Sequence, residues 1–423
     1  MSQTPRLLIT GASGYIGGRL VELAAARGIE VAALGHAPHG SAVPAFAWRL
    51  GAQAPDPAAF AGVTAVIHLG HSWTSDARQK TSADNINLTG SDALARASFA
   101  AGVPRFVLAS TTSVGPTARN AYGRIKHAIE HRLAALPAVG QGLVCARIGL
   151  VYGGAERALF GLMTRLVRMT PILPIIGLER RVQPIHVDEV CAGLLALALD
   201  PLPQRDGRAS ATWVLAGPRP VRFADFLRML RRAQTGGSII LVPIPTWAAL
   251  LACDLTRLIP LVPTVDRERV LGLAGTRPMD SAADLAALGI EVADPALRLG
   301  FCRPARRRHT AEAVAMLRYM SGRSRLPASA IARLLRGIDR VDAGALGLPR
   351  LVMLWPALIR AFEPSRPHPG HRLADRLHLA AMVAECLPAS KAPRRRRFPS
   401  LLAQGLLELA ALPFRPILSR RYA

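Results

Sequence analysis

The chain has 423 residues, half of them hydrophobic, and 53 Lys and Arg against 28 Asp and Glu give it a formal net charge of +25. This length exceeds what one small core can use and predicts two or more packed units. Charges and prolines interrupt every apolar run before about 20 residues, which argues against a membrane-spanning helix.

The N-terminal sequence enters a strand-like segment at once, without a basic region, an apolar stretch and a cleavage site. No export signal is therefore expected, and we predict a cytoplasmic protein, with a peripheral position at the inner face of the membrane as an alternative. The five cysteines lie far apart, so reduced buried thiols and no metal site are expected. The most apolar tract, residues 238–263, is predicted to be core.

Short apolar strands alternate with helical segments from residue 6 to about residue 148. The predicted strands read RLLIT, IEVAAL, TAVIHLG, RFVLAS and GLVCARIGLVY. This alternation predicts an α/β fold in which a Rossmann-type, doubly wound parallel sheet carries helices on both faces.

Three glycines, Gly11, Gly14 and Gly17, separate the first predicted strand from the first predicted helix. Glycine allows a tight turn and lets the backbone approach a pyrophosphate, and the helix N-terminus that follows presents N–H groups to it. The required context is also present, with a strand before, a helix after and a second strand ending near His36. The stretch predicts binding of NAD or NADP.

The end of the second strand is where a carboxylate usually binds the adenosine ribose of NAD. Here it reads LGHAPHG and contains neither Asp nor Glu. Gly35 and His36 leave room for a 2′-phosphate, although no arginine lies there to bind it. NADP is therefore mildly favoured over NAD, and His36 is a candidate cofactor-binding residue.

Tyr122 and Lys126 lie four residues apart in AYGRIKHAIEHRL and so share one face of a predicted helix. An ammonium beside a phenol favours the phenolate, which would make Tyr122 an acid/base near neutral pH. The pair stands out because the chain has only five tyrosines and three lysines. The alternative to a catalytic pair is an ordinary solvated helix face. Upstream, the strand in RFVLASTTSVGP ends in hydroxyl residues at the sheet edge where ligands bind.

Several segments occur in the order found in the extended short-chain dehydrogenase/reductases, also called the NAD-dependent epimerase/dehydratase family. They are TGASGYIG, AVIHLG, NINLTG, GVPRFVLAST, YGRIK, ARIGLVYGG and PIHVDEV, and residues 5–300 resemble that family. The resemblance implies that Tyr122 is the catalytic acid/base and that Lys126 lowers its pKa and binds the nicotinamide ribose. It implies that Thr111 orients the reacting hydroxyl or carbonyl, with Ser110, Thr112 and Ser113 as nearby competitors.

The same resemblance implies a set of residues that line the cofactor. These are Gly11, Ser13, Gly14, Tyr15, Ile16 and Gly17 at the pyrophosphate, and Leu69 and Gly70 near the adenosine. Asn87 would support the pocket indirectly. His186 and Asp188 match a helix-opening segment that is more often structural than catalytic.

The sequence departs from the family pattern in two places, and these departures limit which of the family's reactions are expected here. No carboxylate follows Thr111, so dehydration of the sugar-nucleotide 4,6-dehydratase type is disfavoured. The segment from Thr111 to Tyr122 is short and resembles the atypical branch that includes the nucleotide-binding accessory subunit of respiratory complex I. We predict an enzyme that transfers hydride to or from a carbinol or carbonyl carbon, with nucleotide sugars as the family's most common substrates. The alternative is a non-catalytic NAD(P)-binding assembly protein or a membrane-associated accessory protein.

The expected domains are an NAD(P)-binding Rossmann domain over 1–152, a smaller substrate lobe over 153–302 and a basic helical extension over 303–423. Within the lobe, residues 181–200 return to the Rossmann core. The extension carries 23 Lys and Arg against 7 Asp and Glu. Its three clustered histidines are expected to be exposed in a Pro/Gly loop rather than to bind metal, and they are His368, His371 and His378.

The segment KAPRRRRFPSLLAQGLLELAALPF joins four arginines to an apolar run, as an interfacial membrane anchor would. Packing of that run onto its own protein is the alternative. Nucleic acid is not expected as a partner, because the arginine runs lack interleaved aromatic residues. A small-molecule substrate is the expected partner, and a homodimer is left open.

Overall fold

The computed structural model describes residues 4–37, 41–51, 54–72, 85–136, 142–202, 210–256, 265–300, 303–341, 345–364 and 370–388. The chain divides into two compact units. The first unit comprises Met1–Leu166, Leu173–Phe226 and Leu241–Arg298, and the second comprises Val167–Ile172, Leu227–Ile240 and Leu299–Ala423.

The strands are β1 (Arg6–Thr10), β2 (Glu30–Leu34), β3 (Ala45–Phe46), β4 (Ala65–His68), β5 (Arg105–Thr111), β6 (Leu143–Ile148), β7 (Leu150–Tyr152), β8 (Ile172–Ile176), β9 (Arg181–Val182), β10 (Pro184–His186), β11 (Ser210–Leu215), β12 (Val221–Arg222) and β13 (Ile240–Ile244). Seven of the described strands form one sheet in the order β11-β6-β5-β4-β1-β2-β3. Every neighbouring pair in it is parallel. This sheet confirms the predicted Rossmann-type α/β fold.

The helices are α1 (Tyr15–Ala26), α2 (Ile86–Ala100), α3 (Ala121–Ala134), α4 (Ala158–Met169), α5 (Val187–Leu199), α6 (Phe223–Thr235), α7 (Thr246–Thr256), α8 (Arg267–Gly275), α9 (Ala282–Ala287), α10 (Pro295–Arg298), α11 (Arg303–Ser321), α12 (Ala328–Val341), α13 (Arg350–Leu354) and α14 (Arg372–Glu385). Two 3₁₀ segments, Pro57–Phe60 and Pro356–Phe362, add further helical turns. In the part of the chain that the structure describes, no helix combines the length and apolarity needed to cross a bilayer.

Alternate residues of the central strands face the two helical layers. Leu7 and Ile9 of β1 belong to a buried cluster with residues of α1 and α5, whereas Leu8 belongs to a cluster with residues of α2 and α3. All three of these side chains are fully buried. A strand covered on both faces reads as a continuous apolar run, which is why RLLIT shows no polar alternation.

The sheet order reverses direction at β1. The chain proceeds from β1 through β2 and β3 on one side, and through β4, β5 and β6 on the other. Open α/β sheets bind ligands at such a switch point, in the crevice beyond the carboxyl ends of the strands. The register aligns Thr10 of β1 with His68 of β4 and His68 with Leu108 of β5, so these strand ends lie together.

The region after residue 153 differs from the predicted lobe in two places. β11 pairs with β6 and extends the sheet, although sequence reasoning did not predict that strand. The prediction that residues 238–263 are core is wrong for α7, because Trp247 and Leu251 are 69% and 53% exposed. The small residues Ala249 and Cys253 supply the buried face of α7 instead.

The second unit has its own apolar core, formed mainly by residues of α11, α12 and α14. Glu312 of α11 is buried in it and accepts hydrogen bonds from the backbone N–H groups of Leu346, Gly347 and Leu348 at 2.6, 2.8 and 2.9 Å. The expectation of exposed histidines is wrong for His371, which is buried and caps α14 by accepting from Ala374 N. His378 is exposed, and His368 lies outside the described residues.

Candidate active site

The glycine turn between β1 and α1 is tightly closed. Gly11 has φ +69°, and its carbonyl accepts from Gly14 N at 2.9 Å. A Cβ added at Gly17 would lie 2.1 Å from the Gly11 oxygen, and one at Gly11 would lie 3.0 Å from Gly70 N. The turn therefore requires glycine where the backbone makes its closest approaches.

The N-terminus of α1 fits an anionic ligand. Gly14 is the N-cap residue, no side chain caps the helix, and its first turn contains no acidic residue. The uncapped N–H groups and the positive end of the helix dipole suit a pyrophosphate. Arg157 adds a positive charge, since its Nη1 donates to Ser13 O at 3.2 Å. Tyr15 is held by the hydrogen bond that its phenol donates to Gly153 O at 2.6 Å.

The loop after β4 is held beside the glycine turn by buried hydrogen bonds. Thr10 Oγ1 lies 2.6 Å from His68 Nδ1 and accepts from Gly70 N at 3.0 Å. His68 Nε2 lies 2.9 Å from Ser91 Oγ of α2. Leu69 N donates to Thr10 O, so Leu69 and Gly70 lie beside the glycine turn, and their predicted place near the adenosine stays a prediction.

The other residues predicted to bind or support the cofactor are Ile16 in α1, His36 after β2 and Asn87 in α2. Ile16 lies in the first turn of α1, and His36 is exposed two residues beyond the end of β2. Asn87 binds both backbone groups of Ser72, accepting from its N–H at 2.7 Å and donating to its carbonyl at 3.0 Å. Asn87 thereby holds Ser72 in the loop after β4, and its indirect support of the cofactor pocket stays a prediction.

The hydroxyl loop after β5 packs against the start of α3. Thr111 Oγ1 accepts from Ser113 N at 3.2 Å and lies 3.1 Å from Ser113 Oγ. A Cβ added at Gly123 would lie 2.4 Å from Ser113 O, so only glycine allows this approach. Thr111 is therefore linked through Ser113 to the residue of α3 that follows Tyr122. Ser110 and Thr112, the other candidate hydroxyls, are buried.

Lys126 ties α3 to β5. Its side chain is 2% exposed, its Nζ donates to Ala109 O at 2.7 Å, and that nitrogen lies 5.9 Å from the centre of the Tyr122 ring. Burial lowers the pKa of Lys126 to about 8. Tyr122 and Lys126 therefore do meet on one helix face.

The pKa of Tyr122 does not fall below its ordinary value in this structure, and the part that Lys126 plays in it stays a prediction. Burial raises the pKa of Tyr122 to about 12, so the phenol keeps its proton at neutral pH. The physical reason is that the low-dielectric surroundings disfavour phenolate. A protonated phenol beside an open strand edge can donate a hydrogen bond or a proton to a ligand oxygen.

Two residues near Tyr122 escaped sequence reasoning. His71 packs edge-on against the Tyr122 ring at 4.8 Å between ring centres, and burial lowers the pKa of His71 to about 3, so it is neutral. Glu268 of α8 accepts from Ala121 N at 2.6 Å, at the first residue of α3. Both contacts join segments distant in sequence, which a motif cannot reveal.

His186 and Asp188 lie at the start of α5 and stabilise the helix. His186 Nδ1 accepts from Asp188 N, and Glu189 accepts from His186 N at 2.9 Å, which completes a capping box. Asp188 pairs with Arg19 at 2.6 Å and with Arg298 at 3.3 Å. Among the described residues no group of three or more His, Cys, Asp or Glu could hold a metal ion.

The chain is similar in sequence to one protein family and similar in fold to several solved structures. A family model described as the NAD dependent epimerase/dehydratase family matches residues 7–209. The chain is 29% identical over 157 residues to a ceramide reductase of Caulobacter vibrioides (strain NA1000 / CB15N), an alignment covering 34% of this chain and 48% of that protein. The match therefore spans about half the length of that relative.

Solved structures share the fold at low identity. MoeE5 in complex with UDP-glucuronic acid and NAD superposes with a TM-score of 0.51 at 20% identity, over 70% of this chain and 96% of that chain. UDP-N-acetylglucosamine 4-epimerase from Bacillus cereus gives a TM-score of 0.51 at 15% identity, over 70% of this chain and 97% of that chain. These likenesses concern the fold alone.

Proposed function

We propose, from the match of residues 7–209 to the model of the NAD dependent epimerase/dehydratase family, that the chain is an NAD(P)-dependent oxidoreductase. It would transfer hydride between a nicotinamide and a carbinol or carbonyl carbon. The observation that carries the proposal is the meeting of Tyr122, Lys126 and the Thr111 loop at the strand edge that also holds the glycine turn.

The glycine turn fits the dinucleotide that the family implies. Gly11, Gly14 and Gly17 leave a cradle that a Cβ would fill, and the uncapped start of α1 suits the pyrophosphate. The cofactor, when bound, supplies or accepts the hydride. MoeE5 forms a complex with NAD, and the preference for NADP stays a prediction based on the absence of a carboxylate near His36.

The side chains support reduction of a carbonyl group. Tyr122 is protonated at neutral pH and can donate the proton that a carbonyl oxygen needs as it becomes a hydroxyl. Thr111 would hydrogen-bond the same oxygen. Lys126, whose ammonium lies close to the ring of Tyr122, would stabilise the phenolate left after proton transfer. A relative that is a reductase supports the same direction.

The substrate class is open between two chemistries. Nucleotide sugars are one, since MoeE5 binds UDP-glucuronic acid and the Bacillus cereus protein is a UDP-N-acetylglucosamine 4-epimerase. A lipid is the other, since the curated relative is a ceramide reductase. The missing carboxylate after Thr111 disfavours dehydration of the 4,6-dehydratase type. The non-catalytic alternative is not favoured, because a purely nucleotide-holding protein has no need of a phenol beside a buried lysine.

Two further partners are predicted, an anionic membrane and a second copy of the chain, and the predicted membrane segment lies outside the described residues. Contact of residues 391–414 with anionic membrane stays a prediction, as does a homodimer. The corresponding position at the inner face of the membrane also stays a prediction.

Replacing Tyr122 with Phe tests the proposed function. We expect Y122F to lower NADH- or NADPH-dependent reduction of a panel of sugar and lipid ketones by about 10²-fold or more, since a positioned acid contributes that much. Cofactor binding should change little. Tyr319→Phe in the second unit is the matched control and should keep full activity. Unchanged activity of Y122F would remove Tyr122 from the reaction.

A further inference from the structure

The second unit displays an exposed apolar face on α13. Leu351, Leu354 and Trp355 are 57%, 73% and 65% exposed, and Trp355 N donates to Leu351 O at 2.9 Å. Their spacing of three and four residues places the side chains on one face of the helical turn. Val352, which points the other way, is 2% exposed and belongs to the core of the unit. Three large apolar side chains exposed side by side differ from singly scattered ones and are a candidate interaction surface.

An arginine-lined cleft adjoins this face. The cleft has a volume of about 410 Å³, and its lining includes Arg318 and Arg323 from the end of α11 and the following loop, and Pro356 and Ala357 from the 3₁₀ segment. Pro356, which lines the cleft, directly follows Trp355 of the apolar face in the chain. Arg323 donates from Nη2 to Pro388 O, and its other N–H groups together with the planar guanidinium of Arg318 provide donors for a phosphate group.

The surroundings of the cleft are strongly basic. The described residues between 303 and 388 include 14 arginines against five Asp and Glu. One of those carboxylates, Glu312, is buried and accepts hydrogen bonds from backbone N–H groups. Another, Glu363, accepts from the Tyr319 phenol and pairs with Arg360. The field at the surface therefore attracts anions.

We propose that this surface binds an anionic lipid bilayer. Leu351, Leu354 and Trp355 enter the interface between headgroups and acyl chains, where an indole with one apolar and one polar side is most stable. Arg318 and Arg323 bind a lipid phosphate in the adjoining cleft. The apolar face would insert while the arginines of the cleft bind phosphate. Interfacial membrane proteins combine the same two contacts.

This surface shares no residue with the predicted anchor in residues 391–414 or with the oxidoreductase site. It would hold the protein at the membrane whether or not Tyr122 is catalytic. If the proposed reaction acts on a lipid, the same surface would bring the enzyme to its substrate.

Vesicle co-sedimentation of the full-length protein tests the proposal. Wild type should bind vesicles of phosphatidylcholine containing about one third phosphatidylglycerol more tightly than vesicles of phosphatidylcholine alone. Trp355→Ser should weaken that binding about tenfold, since it removes most of one large inserted apolar side chain. Arg318→Gln should weaken it about fivefold and reduce its dependence on salt.

The chain offers matched controls for both substitutions. Trp247 is 69% exposed in the first unit, and Arg333 is exposed on α12. Trp247→Ser and Arg333→Gln should bind the anionic vesicles as wild type does. Because Trp355 and Arg318 are exposed, their variants should fold, which circular dichroism would verify.

Three results would overturn the proposal. The first is failure of wild type to bind anionic vesicles, and the second is equal binding by wild type, W355S and R318Q. The third is a shift of W355S from oligomer to monomer in sedimentation velocity with its vesicle binding unchanged, which would assign the face to contact between copies of the chain. A loss of binding confined to the two surface variants, with both controls intact, would support it.

Discussion

At the scale of single residues, Lys126 is a buried lysine, and burial disfavours the charged form of its side chain. Burial lowers its pKa to about 8 from the usual 10.5, so between these pH values the folded protein binds fewer protons than the unfolded chain. Stability from this group therefore rises with pH across that window, and its cost is greatest below about pH 8. The lysine is kept at a cost in stability, which is what a functional residue at a buried site would show.

Lys126→Met tests this cost. At pH 7 we expect the variant to be more stable than wild type by on the order of 2 kcal/mol, with the advantage shrinking as the pH rises to about 10. Urea unfolding at the two pH values measures the difference. Arg96→Met, which removes a half-exposed cation from α2, should change stability by less than about 0.5 kcal/mol at either pH. A K126M variant that is less stable than wild type at pH 7 would contradict this account.

Gly17 and Gly18 provide a second comparison of single residues. A Cβ at Gly17 would lie 2.1 Å from Gly11 O, whereas the nearest atom to a Cβ at Gly18 is 3.8 Å away. Gly17→Ala should therefore displace the turn and abolish dinucleotide binding, while Gly18→Ala should retain it. Fluorescence titration with NADH and NADPH measures both. Equal affinities in the two variants would show that the turn does not hold the cofactor.

At the scale of elements, the capping box at α5 predicts a structural role for His186. Burial lowers the pKa of His186, so its neutral ring can accept the hydrogen bond from Asp188 N. His186→Ala should cost about 1 kcal/mol of stability, and His186→Asn should recover part of it, because asparagine is a good N-cap residue. Urea unfolding measures the cost. A large loss of activity in H186N at full stability would instead indicate a catalytic role.

The sequence predicts those elements whose signal is local. β1, β2, β4, β5 and β6 were predicted because a buried parallel strand is a continuous apolar run, and α1 because the glycine turn precedes it. β11 was missed because its assignment depends on pairing with β6, about 70 residues earlier. The exposed face of α7 was missed because apolar composition does not tell which face is covered.

The candidate site divides in the same way. Tyr122, Lys126 and the glycine turn were found from spacing, whereas the contact of His71 with Tyr122 depends on how the loop after β4 folds back. The raised pKa of Tyr122 could not be predicted either, since it reflects burial rather than the neighbouring ammonium. Gly123 did leave a signal, because a glycine inside a helical pattern costs stability relative to alanine, and here its packing reason is the approach of Ser113 O.

At the scale of the whole molecule, separate cores in the two units predict unfolding in more than one step. Glu312 stabilises the core of the second unit by accepting three backbone hydrogen bonds. Glu312→Ala leaves those N–H groups without their acceptor and should cost several kcal/mol, about 1–3 kcal/mol for each buried group. Calorimetry should show one transition moved to lower temperature and the other unchanged. A single transition shifted as a whole would contradict two independently stable cores.

The central claim is that the chain is a nicotinamide-dinucleotide oxidoreductase, and nucleotide binding tests it most directly. The measurement is mass spectrometry of nucleotide released when the purified protein is denatured, together with titration of the emptied protein by NADH and NADPH. We predict saturable binding of at least one of them, with Gly17→Ala abolishing it. Tightly retained NAD would indicate an enzyme that recycles its own hydride, and an empty site that prefers NADPH would indicate a reductase. Binding of neither nucleotide would contradict the assignment.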